Sequence, residues 1–321
     1  MLGLYRRLKQ RGILSINQRN MDFVLKYNPR RLYPLVDDKL QTKLLAEKAG
    51  IAAPPLYTLI KSEHQLKHLD EILAPWPDFV IKPAHGAGGD GIIVVQDRVM
   101  GRYRQINGRL STSEELRYHL SRLLSGAYSL GGYDDFAIVE YRVIVDPVFS
   151  EISYEGVPDI RIITLLGYPA LAMLRLPTRQ SGGKANLHQG AIGVGIDLAS
   201  GQTLGGVFHN DPIEFHPDTL QSIVGRQVPH WEKILEISAG CFELTGLGYI
   251  GVDIVLDKER GPMMLELNAR PGLNIQIANR EGALGRYRRI EAQASQGAQT
   301  AAERIAFSKS AFAMDMEKKS G

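Results

Sequence analysis

Apolar and polar positions recur with two different periods along this chain, and the change of period divides it. In DDKLQTKLLAEKAGI, Leu40, Leu44 and Leu45 fall at helical spacing between Asp37 or Asp38 near the N-cap and Gly50 as the stop, which predicts a short helix. Pro54 and Pro55 then break the chain. SEHQLKHLDEIL predicts a second helix with Ser62 and Gln65 at capping-box spacing, and DFVIKP and IIVVQ predict strands on either side of a glycine-rich segment. STSEELRYHLSRLL predicts an amphipathic helix through Leu116, Leu120 and Leu123.

From Asp135 onward the period shortens. FAIVEYRVIV, DIRIITLL, PALAMLRL and AIGVGIDL predict strands separated by Gly, Pro and Asp turn signals. The helix WEKILEISAGCFELTG ends at Gly246, and YIGVDIVLD and PMMLELN predict two more strands. Past Asn279 strand character is lost, predicting a helical or partly mobile tail. The expected division is therefore an N-terminal arm over 1–36, an α+β subdomain over 37–134, a strand-rich subdomain over 135–279 and a tail over 280–321.

Composition adds the setting. With 321 residues, 44% hydrophobic and 23% charged, the chain can bury a substantial core. No apolar run reaches the roughly 18 residues of a membrane span, and the start lacks the pattern of a signal peptide, so a cytoplasmic protein is expected. The single cysteine, Cys241, sits among helix formers and is read as a small buried hydrophobe. Net charge is only +3, yet eight Lys or Arg (Arg6, Arg7, Lys9, Arg11, Arg19, Lys26, Arg30, Arg31) stand against Asp22 alone before Leu32. Such an arm suits a protein partner, a membrane surface or an acidic substrate, or is simply solvated; no motif points to nucleic acid.

Three groups of residues carry candidate chemistry. In VIKPAHGAGGDGI, Gly86, Gly88, Gly89 and Gly91 follow a strand bearing Lys82. Glycines let backbone N–H groups curl around an anion and the lysine supplies an opposing charge, so the segment reads as a phosphate cradle, with a plain hairpin as the alternative. In MMLELNARPG, Glu266 and Asn268 lie two apart on one strand face, and Asp253 is expected on the neighbouring strand. Converging carboxylates on buried strands call for a hard cation such as magnesium, or for arginines that hold them at an edge. The middle of the chain adds Asp159 and Arg161, Arg175, and Lys184, Asn186 and His188, a pattern expected of a polar sheet face lining a cleft.

The ordered set DKLQTK, VIKP with its glycine loop, VEYRV, DIR, NLHQG, GVD and ELNARPG resembles the ATP-grasp superfamily over about Asp37 to Ile277. It is most similar to the ribosomal-protein glutamate ligase branch and its alpha-L-glutamate ligase-like relatives. The resemblance implies an α+β ATP-grasp fold, two subdomains clasping ATP. It assigns Lys39 and Lys82, with the loop glycines, to the phosphates, Glu140 and Tyr141 to an adenine-recognising hinge, and Asp159, Lys184 and Asn186 to the rest of the nucleotide site. Asp253, Glu266 and Asn268 would hold magnesium, in two ions with manganese as a substitute, and Arg161, Arg175 and Arg270 would face the reacting phosphoryl and carboxylate groups. The implied activity joins a small-molecule or peptide carboxylate to an amine through an acyl phosphate. A phosphotransferase and a non-catalytic ATP-binding protein are the alternatives, and a homo-oligomer is left open. Relatives place about a hundred residues, one domain's worth, before the helix at Asp37. Here the arm NQRNMDFVLKYNPRRLY is expected to substitute, or a partner to supply the surface, or the substrate to be unusual; in the first case Arg19 and Arg30 or Arg31 are candidates to hold a carboxylate.

Overall fold

The computed structural model describes residues 7–313 apart from Lys9, Ala87, Leu130 and Asn210. Arg6 and Lys9 of the basic arm, and the end of the tail over 314–321, lie outside the described residues. The chain divides into two compact units, one of Asp38–Leu44 and Ala53–Ile144, the other of the described residues of Met1–Asp37, Leu45–Ala52 and Val145–Gly321.

The first unit is built on an antiparallel sheet of β1 (Leu56–Ile60), β2 (Phe79–Pro83), β3 (Ile93–Val99), β4 (Arg102–Gln105), β5 (Leu110–Ser111) and β6 (Ala137–Glu140), in the order β1-β6-β2-β3-β4-β5. Period-two alternation sends Phe79 and Ile81 of β2, and Ala137 and Val139 of β6, into one cluster with Leu116, Leu120 and Leu123 of the helix Ser113–Leu124. That helix starts at a Thr112–Glu115 capping box. The expected single helix over SEHQLKHLDEIL is instead two short ones, Glu63–Leu66 and Leu69–Leu73, and Ser62 makes no side-chain cap. Gln65 Oε1 accepts from the Lys61 backbone, so the residue needed to complete the box is engaged one position earlier.

The second unit carries β7 (Asp159–Leu165), β8 (Tyr168–Leu176), β9 (Ile192–Ile196), β10 (Thr203–Phe208), β11 (Asp211–Ile213), β12 (Tyr249–Asp257) and β13 (Gly261–Asn268), antiparallel in the order β11-β10-β9-β8-β7-β12-β13. The helix Trp231–Thr245 packs on β7, β8, β12 and β13 and stops at Gly246, whose φ of +68° suits glycine. Cys241 on this helix is fully buried and burial pushes its thiol up to about 12, which fits the hydrophobe reading. The tail is helical where described, at Ala283–Ala294 and Ala301–Phe312.

From Leu14 onward the N-terminal segment is no solvated arm. Leu14, Phe23, Val24, Tyr33 and Val36 are buried, and the Asn28 side chain donates to the carbonyls of Tyr249 and Ala269 and accepts from the Tyr249 N–H. Arg19, expected to meet substrate, is buried and donates to the carbonyls of Arg270 and Pro271 at 3.2 and 2.7 Å. Its Nη1 holds the turn after β13 and its Nε donates to Asn20, whereas Arg30 and Arg31 remain exposed. Arg19→Ala should therefore cost about 2 kcal/mol by leaving buried carbonyls without a donor, or roughly 4–8 °C in Tm, while Arg30→Ala leaves Tm unchanged; a thermal melt of both variants checks this. Among the described residues no helix is long and apolar enough to cross a membrane.

Candidate functional site

In the first unit the pleat that sends Phe79 and Ile81 into the core turns Lys82 and Glu140 to the opposite face. The register sets Lys82 against Ile138 and Val80 against Glu140, so lysine and glutamate are diagonal neighbours within reach of one another. Lys82 Nζ stands 2.5 Å from one Glu140 oxygen and Lys43 Nζ 2.8 Å from the other. Burial works against the Glu140 charge, but the two ammonium groups outweigh it and hold its carboxyl below the usual carboxylate range.

Lys43 was not legible in the sequence. The helix Lys39–Lys48 was expected to bury Leu40, Leu44 and Leu45, yet it buries Thr42, Lys43 and Ala46 and exposes Leu44. The reason is Glu140, whose charge draws Lys43 inward; the available signal was that Lys43 follows Lys39 by one helical turn. Asp38 caps this helix through the N–H groups of Leu40 and Gln41, and the Lys39 ammonium rests on the Gly86 carbonyl. Because its folded pKa is depressed, Glu140 contributes stability in full above its ordinary 4.5 and loses it as pH falls through the folded value. Glu140→Gln should cost about 3–5 kcal/mol by taking the carboxylate away from two buried ammonium groups, and should flatten the acid limb of a pH series of denaturant melts.

The glycine loop follows β2 directly. A side chain at Gly86 would bring a Cβ within 2.2 Å of the Pro83 ring, so only glycine permits this close turn. Gly88, Gly89 and Gly91 have φ of +68°, +80° and +75°, in the left-handed region. A second glycine run, Gly126, Gly131 and Gly132, lies alongside through the Gly86–Ser129 bridge. β6 ends at Glu140 rather than continuing through the expected FAIVEYRVIV, and the Tyr141 N–H donates to the Pro55 carbonyl.

In the second unit the registers build a polar row. Arg161 faces Asp253, Asp253 faces Glu266, Asp159 faces Arg175 and Gly251 faces Asn268. Alternation places Asp159, Arg161, Arg175, Asp253, Glu266 and Asn268 on one face, as expected, while Ile160, Ile162 and Ile254 are buried on the other. Arg161 grips Asp253 with two donors at 2.6 and 2.5 Å; Arg175 reaches Asp253 at 2.7 Å and makes a bidentate pair with Asp159. Burial opposes the Asp253 charge, but Arg161 and Arg175 hold its carboxyl well below the usual range, while burial and the neighbouring Asp253 push Asp159 up.

Three carboxylates (Asp159, Asp253, Glu266) meet two guanidinium groups (Arg161, Arg175), which leaves one negative charge in the row. Asn268 bridges the acids, its amide 3.3 Å from Asp253 and 3.4 Å from Glu266. Two carboxylates and an amide fit a hard cation once the amide turns its oxygen inward, although no group of three His, Cys, Asp or Glu with metal-binding potential occurs among the described residues. The other predicted residues have local contacts of their own. Arg270 is exposed with its guanidinium 4.9 Å from the Tyr33 ring, Asn186 caps the turn Leu187–Gln189 by accepting from His188, and Lys184 lies two residues before that cap.

A profile of the family described as sugar-transfer associated ATP-grasp matches residues 18–292. No curated protein matches the chain. Among solved structures, the ATP-grasp ligase PsnB complexed with minimal precursor is similar at 15% identity and a TM-score of 0.43, over 84% of this chain and 64% of that one. D-cycloserine synthetase DcsG is similar at 16% and 0.43, over 84% and 72%. D-alanyl-alanine synthetase A from Vibrio cholerae O1 biovar eltor is similar at 12% and 0.43, over 88% and 66%. The chain thus spans just under two thirds of PsnB's length.

Proposed function

The chain belongs to the sugar-transfer associated ATP-grasp family, with an α+β ATP-grasp fold, and from that premise we propose that it is an ATP-dependent ligase that activates a carboxylate and joins it to an amine. The observation that carries the proposal is the polar row on β7, β8, β12 and β13, whose residual negative charge and oxygen donors suit a magnesium nucleotide.

In this reading Lys39 and Lys82, with the loop glycines, hold the phosphates of ATP, and Glu140 and Lys43 keep Lys82 extended toward them. Asp253, Glu266 and Asn268 hold magnesium, which when bound neutralises phosphate charge. Arg161 and Arg175 stand beside the same carboxylates, placed to stabilise charge on a phosphoryl group in transfer. Arg270, at the end of the motif ELNARPG, binds the substrate carboxylate; its exposure leaves the guanidinium accessible. Glu140 and Tyr141 flank the adenine, and Asp159, Lys184 and Asn186 complete the nucleotide site. The substrate carboxylate attacks the γ-phosphate, ADP leaves, and an amine displaces phosphate from the acyl phosphate.

Glutamate or another amino acid is the first candidate carboxylate, from the resemblance to the alpha-L-glutamate ligase-like branch. Sugar acids and amino sugars form the second set, from the description of the family. ADP release from MgATP, measured against these sets, should require a carboxylate and an amine together. Release with a hydroxyl acceptor and no amine would mark a phosphotransferase instead, and tight ATP binding without turnover a non-catalytic protein.

A further inference from the structure

His85 opens the glycine loop, three residues after Lys82, and its surroundings go beyond what holding the loop requires. The Asp135 side chain is fully buried and accepts from the His85 backbone N–H at 3.1 Å, the Phe136 N–H at 2.8 Å, the Ser129 hydroxyl at 2.6 Å and His85 Nδ1 at 2.7 Å. Burial opposes its charge, but these donors outweigh it and keep Asp135 below the ordinary carboxylate range. An ionised carboxylate can only accept, so Nδ1 carries the proton and Nε2 is the ring's remaining site. The imidazole is 41% exposed, so part of the ring stays open at the mouth of the loop.

Nε2 lies 3.8 Å from Asp38 Oδ2, beyond hydrogen-bonding distance. Asp38 and Asp135 are acids that face the ring among the described residues. The cations nearby are Lys39, with its ammonium on the Gly86 carbonyl, and Lys61, which lies over the ring of Phe136 while that ring sits edge-on to His85. The protonated ring would present Nε2–H as a charged donor at the loop; the neutral ring would present a lone pair there instead. The bond from Nδ1 to Asp135 and the Gly86–Ser129 bridge already tie the two glycine runs together. A purely structural role uses Nδ1 and leaves Nε2, 3.8 Å from Asp38 Oδ2, without a task.

We propose that His85 is a phosphate-binding residue of the glycine loop, taking the phosphate of a nucleoside di- or triphosphate on its protonated Nε2, so that nucleotide binding is linked to proton uptake. The proposal rests on the reading of this loop as a nucleotide cradle. Protonated His85 binds phosphate more tightly, so the His85 contribution is present at low pH and is lost as pH rises through the range where imidazoles titrate.

Isothermal titration of MgADP into the full-length protein tests it, from pH 6 to pH 8 and in two buffers of different ionisation enthalpy. His85→Asn is the comparison, since an asparagine amide can still donate to Asp135 in place of Nδ1–H. Wild type should bind about tenfold more tightly than His85→Asn at pH 6, with the gap closing to within about twofold at pH 8, and should take up more protons on binding. Titration of ADP's own phosphate is common to both proteins and cancels. The His85 C2 proton, followed by NMR, should report a raised pKa in the MgADP complex. A gap that stays constant with pH, with equal proton uptake and an unmoved His85 titration, overturns the proposal while leaving the nucleotide reading intact. Failure of wild type to bind MgADP at all overturns both.

Discussion

Glu266→Gln is expected to lower magnesium-dependent ADP formation by at least about a hundredfold while leaving thermal stability in metal-free buffer almost unchanged, and Asp253→Asn is expected to lose both. The two residues face each other across β12 and β13 and have the same proposed role, yet their surroundings differ. Glu266 is only partly buried and accepts a long hydrogen bond from the Asn268 amide at 3.4 Å. Asp253 is fully buried and neutralises two guanidinium groups, so removing its charge strands Arg161 and leaves Arg175 with Asp159 alone. Breaking a buried pair from one side costs about 3–5 kcal/mol. Relief of repulsion between the two acids would by itself imply little loss of stability in either variant; the arginines reverse that for Asp253. Turnover and metal-free melts on both variants check it, and a Glu266→Gln protein with normal turnover would remove the metal assignment.

Lys82→Met is expected to weaken MgATP binding by about a hundredfold, the equivalent of roughly 3 kcal/mol for a charge-assisted contact, with the fold retained. Methionine is suited to the buried volume, and Lys43 stays 2.8 Å from Glu140, so that carboxylate is not left unpaired. Lys82→Ala would mix this effect with a cavity beside a buried charge. Equilibrium binding of a non-hydrolysable ATP analogue, with a melt to confirm folding, gives the answer; wild-type affinity would take Lys82 out of the cradle.

The polar row was legible in the sequence because strands have a strict period of two. Asp159 with Arg161, and Glu266 with Asn268, could be placed on common faces from their spacing, and Asp253 could be set beside Glu266 from two adjacent strand patterns. The pairing that decides their charge states was not legible. Which guanidinium meets which carboxylate depends on strand order, and Arg161 and Asp253 are separated by 92 positions. The N-terminal segment misled for the same reason. Its local charge density left open a solvated arm, a docking surface or a substrate contact, whereas Asn28 is fixed by Tyr249, 221 positions away, and Arg19 by Pro271, 252 positions away. Helix breaks are weak in a single sequence too: nothing in LKHLDE forbids a continuous helix, and Gln65 turning back to Lys61 is a local competition that propensity does not resolve.

Carboxylate activation through an acyl phosphate moves one oxygen from the substrate to inorganic phosphate, and following that oxygen tests the central claim most directly. Candidate amino acids, short peptides and sugar acids labelled with ¹⁸O in the carboxylate would be incubated with the protein, MgATP and an amine, and the released phosphate analysed by mass spectrometry. The proposed function predicts one ¹⁸O in each phosphate formed, and a labelled amide that retains the other. Phosphate free of label, or ADP formed together with a stable phosphorylated acceptor, would contradict it.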